Sequence, residues 1–200
     1  MSKRTALSAA LAASRVEKDV ENAYRAEVSA QRTDVSWSSP HATDGLAVWS
    51  SESAPPVNVR LLLEAKYDLD FKQRGPVCSV LGQMLLYLKR FETAGGTMPN
   101  VLLVGDRNEC FVLATDAVRG FLGLNLDWNV APSTGSPELT RALVSGFNLL
   151  PYVYDVNGDL DFGDVLAKVE TLAAGNEHRV RATRANLGAR LIEFGDPIAA

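Results

Sequence analysis

Residues Leu61-Leu62-Leu63 run without a break into Glu64-Ala65-Lys66, and that junction constrains the fold more than any other feature of the chain. Three consecutive leucines inside the short extended segment Val57 to Lys66 read as a central strand buried on both faces, because a strand with one wet face alternates apolar and polar residues. Such a strand needs a covering layer on each side, so an α/β domain is expected. Glu64 and Lys66 lie two apart, so their side chains leave the same face while Ala65 points away. Two charges closing an apolar strand are costly if fully buried. They mark either its exposed end or a site.

The flanking segments supply the layers. Thr5 to Gln31 lacks Gly and Pro and spaces Leu11, Val16, Val20, Ala23 and Tyr24 helically, which predicts one long opening helix. A polar loop around Ser36 to His41 precedes a short strand, Leu46 to Trp49, and Ser50 to Pro56 is a turn. Gly75-Pro76 punctuates the chain before a second helix, Val77 to Glu92, in which Val80, Met84, Tyr87 and Phe91 recur at helical spacing. Val101 to Val104 and Cys110 to Leu113 flank Gly105-Asp106-Arg107-Asn108, a hairpin signal. This order predicts a mixed central β-sheet flanked by helices.

Beyond it, a loop or subdomain boundary over Leu126 to Pro137 leads to a helix, Pro137 to Phe147. A second hairpin is expected, with Tyr152 to Val156 and Leu160 to Phe162 joined through Asn157-Gly158. Two closing helices are expected at Gly163 to Ala174 and Val180 to Glu193. The oxygen-rich run Asp155 to Asp161 has Leu160 where a calcium loop needs Gly and Leu166 where it needs an acid, so it reads as a turn. The chain thus divides into a core, residues 1–125, and an extension, residues 126–200, that packs on the core or leads to a further domain. The ending after Gly195-Asp196-Pro197 reads as a domain boundary.

Twenty Lys+Arg against 24 Asp+Glu argue against a protein that coats nucleic acid non-specifically, which requires many phosphate-neutralising cations. Two cysteines far apart and two histidines exclude a disulfide framework and a Cys/His zinc centre, and a reducing cytoplasm is the natural home. Any catalytic metal is then held by oxygen. Lys3-Arg4 and the following Ala/Leu stretch imitate a signal peptide, but the pattern continues amphipathically through Glu17, Lys18, Asp19 and Glu21. No apolar run is long enough to span a membrane.

Asp44, in the turn Thr43-Asp44-Gly45, stands just ahead of the strand candidate that would pair with Val57 to Leu63. Antiparallel pairing brings it towards Glu64, so two carboxylates and a strand-end carbonyl offer oxygen ligands for Mg²⁺ with Lys66 beside them. Gln83 and Tyr87 are spaced i, i+4 and face the same way on the second helix. This ordered set, Asp44, then Glu64-Ala65-Lys66, then Gln83-Met84-Leu85-Leu86-Tyr87, resembles the PD-(D/E)XK nuclease superfamily over roughly residues 15 to 115. Glu-x-Lys alone is a weak signal; the ordered combination is more specific. Thr43 stands where the superfamily pattern has Pro.

The resemblance implies a restriction-endonuclease-like fold and a metal-dependent DNA endonuclease. It is most similar to the N-terminal nuclease module of a prokaryotic restriction-modification or phage-defence enzyme. By that resemblance Asp44, Glu64 and the Ala65 carbonyl hold Mg²⁺, or Mn²⁺ in its place. Lys66 orients water or meets charge on the phosphate, Gln83 holds the attacking region or a metal-bound water, and Tyr87 buttresses it through helix packing. Family members often add an acid from the first helix; Glu21 is favoured over Glu17, with the choice open. Lys72, Arg74, Lys89 and Arg90 are candidate contacts to DNA, and Arg179, Arg181, Arg184 and Arg190 form a second basic group. No recognition module is evident, so the expected partners besides DNA are a recognition, methyltransferase or translocase domain or subunit, and a second copy transiently on DNA. The alternatives are a repair or recombination nuclease, of resolvase or exonuclease type, and a non-catalytic assembly domain keeping the fold.

Overall fold

The apolar stretches predicted as strands assemble side by side in a computed structural model that describes residues 5–146, 152–157 and 160–175. Six strands lie across the sheet in chain order: β1 Ser36–Ser38, β2 Gly45–Ser50, β3 Asn58–Ala65, β4 Val101–Gly105, β5 Glu109–Ala114 and β6 Tyr152–Asp155. Every neighbouring pair is antiparallel except β3 and β4. A parallel pair needs a crossover, and the long helix α3, Arg74–Thr93, provides it. The helices before it are α1, Ala6–Ala13, and α2, Glu17–Gln31. Those after it are α4, Asp116–Arg119, α5, Pro137–Gly146, and α6, residues 162–175.

Period-two alternation sorts the strands between two cores. Val59, Leu61, Leu63 and Ala65 of β3 pack with α1, α2 and α6, through residues such as Leu11, Tyr24 and Leu166. Leu62 points the other way, into a cluster formed with α3 and α5. The three leucines are each buried, and burial of each stabilises the fold by about 1.5–3 kcal/mol. The result is a mixed α/β fold with helices on both faces. Among the described residues no helix is long and apolar enough to cross a membrane.

The structure departs from the sequence expectations in several places. The single opening helix is two. Ser14 returns its hydroxyl to the Ala10 carbonyl, and the Asp19 carboxylate accepts the N–H groups of Arg15 (2.8 Å) and Val16 (3.3 Å), so side chains take the backbone bonds that would have continued the helix. Residues Ser36–Ser38, expected in a loop, form edge strand β1. Helix α3 starts at Arg74 and takes Gly75-Pro76 into its first turn, where the missing proline N–H is no loss.

The second hairpin does not form either. Tyr152–Asp155 pairs with β5 instead, in the register Glu109↔Asp155. Asp161 accepts the Gly163 N–H (2.8 Å) and so caps α6, which removes Leu160 to Phe162 from any strand. Phe162, Val165 and Leu166 of α6 lie in the same cluster as Leu61 and Tyr24, and Leu139 and Leu143 of α5 join that of α3. The segment after residue 126 thus adds a strand and two helices to the one sheet. The helix expected at Val180 to Glu193, with Arg179, Arg181, Arg184 and Arg190, lies outside the described residues.

Candidate metal centre

The site grows from the end of β3. Strand β2 pairs with β3 as far as Gly45↔Leu63. One step beyond the last rung, the Ala65 N–H is taken by the Asp44 carboxylate at 2.7 Å. Asp44 thus acts as a surrogate strand carbonyl. Its own main-chain carbonyl accepts from Arg25 of α2 at 3.3 Å. The next residue is glycine, and a Cβ there would lie 2.7 Å from the Trp37 ring and push it aside.

Glu64 shares the face of Leu62, towards α3, and is only 1% exposed. Its Oε1 accepts from the Lys66 ammonium at 2.6 Å, while Oε2 is buried with no hydrogen-bond partner. Lys66 also reaches the Glu17 carboxylate at 3.3 Å. Carboxylate oxygens of Glu17, Asp44 and Glu64 lie within 4.8 Å of one another. Burial pushes the Glu64 carboxyl up to about 7, with Lys66 opposing and Asp44 adding to the rise. Burial also raises Asp44, against the Ala65 N–H and Lys66, which favour its ionised form. For Lys66 burial acts downward, but the carboxylates around it, Glu64 first, outweigh it and hold the ammonium above its ordinary value.

Three carboxylates share a single ammonium here, and one buried oxygen is left without a donor. An all-oxygen donor set of that charge fits a hard divalent cation, and the orphaned Oε2 is an atom such an ion would satisfy.

The remaining expected residues fall into two groups. Gln83 and Tyr87 do share a face: Gln83 hydrogen-bonds Tyr87, whose half-buried hydroxyl donates to the Ala42 carbonyl at 3.4 Å and is raised by burial and then by the charge of Glu64. Glu21 is buried outside the acid cluster, bound to Lys18 (2.6 Å) and Arg25 (3.0 Å). The acid that α2 contributes to the cluster is Glu17. The Ala65 peptide meets Asp44 through its N–H.

The four basic residues do not form one patch. Lys72, in the turn before α3, and Arg74, its first residue, lie near one end of a helix about 30 Å long, and Lys89 and Arg90 lie in its last turns near the other. Lys89 is engaged with Glu92 (2.6 Å), the Leu122 carbonyl (3.2 Å) and the Trp128 ring.

Sequence reasoning overlooked the turn before Asp44. His41 and Ala42 both have positive φ, 59° and 62°, which for side-chain-bearing residues costs on the order of 1 kcal/mol each. Their identity signals it only weakly, since His is enriched at positive φ and Ala is not. Arg25 was legible in principle, one helical step beyond Glu21 on the same face.

No protein-family model matches this chain, and no curated protein or solved structure does.

Proposed function

We propose that the chain is a metal-dependent deoxyribonuclease of the PD-(D/E)XK type, the nuclease module of a restriction-modification or phage-defence system. The observation that carries this reading is the buried, unpartnered Oε2 of Glu64 beside Lys66, Asp44 and Glu17. Asp44, Glu64 and Glu17 would hold Mg²⁺ or Mn²⁺. When bound, the ion supplies Lewis acidity to a phosphate oxygen and lowers the pKa of a water.

The chain's own residues do the rest. Lys66 keeps its proton, so it acts as a donor and a positive charge facing a phosphate oxygen, not as a base. Glu64, at the floor of the site, holds Lys66 at a fixed distance from the strand end. Asp44 and the Ala65 N–H lock the two strands whose ends carry the acids. The apolar wall of β3 and β4 lowers the local dielectric, which strengthens each of these interactions.

The acidic balance of the chain supports recognition of DNA by a further domain or subunit, of recognition, methyltransferase or translocase type, in the cytoplasm. A single centre cuts one strand, so a double-strand break requires a second copy on the duplex.

The test is incubation of the chain with supercoiled and linear DNA in Mg²⁺, Mn²⁺ or EDTA, beside Glu64→Ala and Lys66→Ala. Metal-dependent nicking lost in both variants is the expected result. If the wild type neither nicks DNA nor binds Mn²⁺ by calorimetry, the reading is wrong.

A further inference from the structure

The turn Pro40 to Thr43 is strained, and α3 holds it. Two successive residues with side chains, His41 and Ala42, occupy the left-handed region, a conformation that persists only where surrounding contacts impose it. The contacts are identifiable. The His41 ring stands edge-on to Phe91, centroids 4.9 Å apart at 83°, and the Tyr87 hydroxyl donates to the Ala42 carbonyl at 3.4 Å. Tyr87 and Phe91 are spaced i, i+4 and so share a face of α3. Within the turn, the Thr43 N–H closes onto the Pro40 carbonyl at 3.2 Å, while the Thr43 hydroxyl is buried without a partner. Asp44 follows at once, lying outside the β2–β3 ladder and joined to it by its carboxylate on the Ala65 N–H.

We propose that Tyr87 and Phe91 are positioning residues that clamp the left-handed His41-Ala42 turn and thereby aim the Asp44 carboxylate at the end of β3. The aim of Asp44 is then set from two sides. Strand β2 fixes the backbone after it, and the α3 clamp fixes the backbone before it. The strain in the turn is the geometric cost of carrying the chain from β1 past α3 into β2 within so few residues. This inference rests on the nuclease reading for its consequence in catalysis, but the clamp itself has a direct readout that does not.

That readout is amide hydrogen exchange in the metal-free protein, measured residue by residue by NMR for wild type, Tyr87→Phe and Phe91→Leu. Phenylalanine removes the hydroxyl on the Ala42 carbonyl while keeping the ring, and leucine removes the ring that meets His41. In both variants the Ala65 amide should exchange about tenfold faster, because its only acceptor in the site is the Asp44 carboxylate. The Lys66 amide, bound to the Gly105 carbonyl on the other side of the strand at 2.8 Å, should keep its wild-type rate, and Ala42→Gly, which relieves strain and leaves the clamp intact, should melt no lower than wild type. On plasmid DNA with Mg²⁺, both variants should lose kcat about five- to tenfold with KM unchanged.

Wild-type exchange at Ala65 in both variants overturns the clamp, as does acceleration shared equally with Lys66. Should one variant fail to fold, the other carries the test alone. A wild type that does not cut DNA, together with selective loosening of Ala65, overturns the nuclease reading and leaves the clamp standing. Cleavage by the wild type, together with wild-type Ala65 exchange in both variants, does the reverse.

Discussion

Two adjacent parallel strands end in buried carboxylates, and the two are treated in opposite ways. Asp106, just after β4, is 1% exposed, yet each of its oxygens is occupied. Oδ1 accepts the N–H groups of Asn108 (2.7 Å) and Glu109 (2.8 Å), and Oδ2 that of Leu69 (3.1 Å). Glu64, at the end of β3 and equally buried, has one oxygen on Lys66 and one on nothing. A carboxylate that accepts three backbone N–H groups is a structural keystone, because it satisfies donors that would otherwise be orphaned. A carboxylate left short of donors, beside two others, is poised for something that arrives from outside. Burial alone does not distinguish them; hydrogen-bond accounting does.

Substitution should separate the two sharply. Glu64→Gln is expected to lower Mg²⁺-dependent plasmid nicking on the order of a thousandfold while the melting temperature holds or rises, since a neutral amide is cheaper to bury. A fall in activity matched by a fall in stability would put Glu64 in the same class as Asp106. The converse substitution, Asp106→Ala, is expected to cost about 3 kcal/mol in chemical denaturation by stranding three N–H groups. Activity per folded molecule should change little.

The pH dependence of stability sharpens the contrast further. The folded state holds the Glu64 proton more tightly than the unfolded chain does, with the carboxyl raised from 4.5 to about 7. Its contribution is therefore fully present below pH 4.5 and lost as pH rises through 7. Metal-free wild type should lose on the order of 3 kcal/mol relative to Glu64→Gln across that window, by urea denaturation at each pH. Parallel curves for the two proteins would show that Glu64 is already satisfied. The smallest effect separates the two acids of α2: Glu17→Gln should slow cleavage about tenfold and Glu21→Gln less than twofold. The reverse ranking would move the site one helical turn along α2.

Much of this centre is legible in the sequence because its grammar is local. Leu61-Leu62-Leu63 declares a doubly covered strand, Glu64 and Lys66 share a face by alternation, and Gln83 and Tyr87 share one by helical spacing. What was not legible depends on competition at a distance. The break between α1 and α2 exists because Asp19 captures two N–H groups, and no periodicity reports that. The break also decides that Glu17, the first residue of α2, supplies the third acid to the cluster. Asn157-Gly158 looked like a hairpin from its neighbours alone, whereas β6 had a remote partner in β5. The left-handed turn at His41 and Ala42 rests on contacts from the distant helix α3, which residue type announces only weakly.

The Asp44 carboxylate on the Ala65 N–H ties assembly of the acid cluster to strand register. Slipping β3 by one residue against β2 would turn Glu64 and Lys66 towards the opposite core and leave Asp44 facing the wrong peptide. A chain still emerging from the ribosome, or one that has zipped up its strands incorrectly, therefore has no assembled centre. Under the proposed activity, the sheet serves as a safety catch: the host genome meets a cutting enzyme only after the fold has been completed and checked.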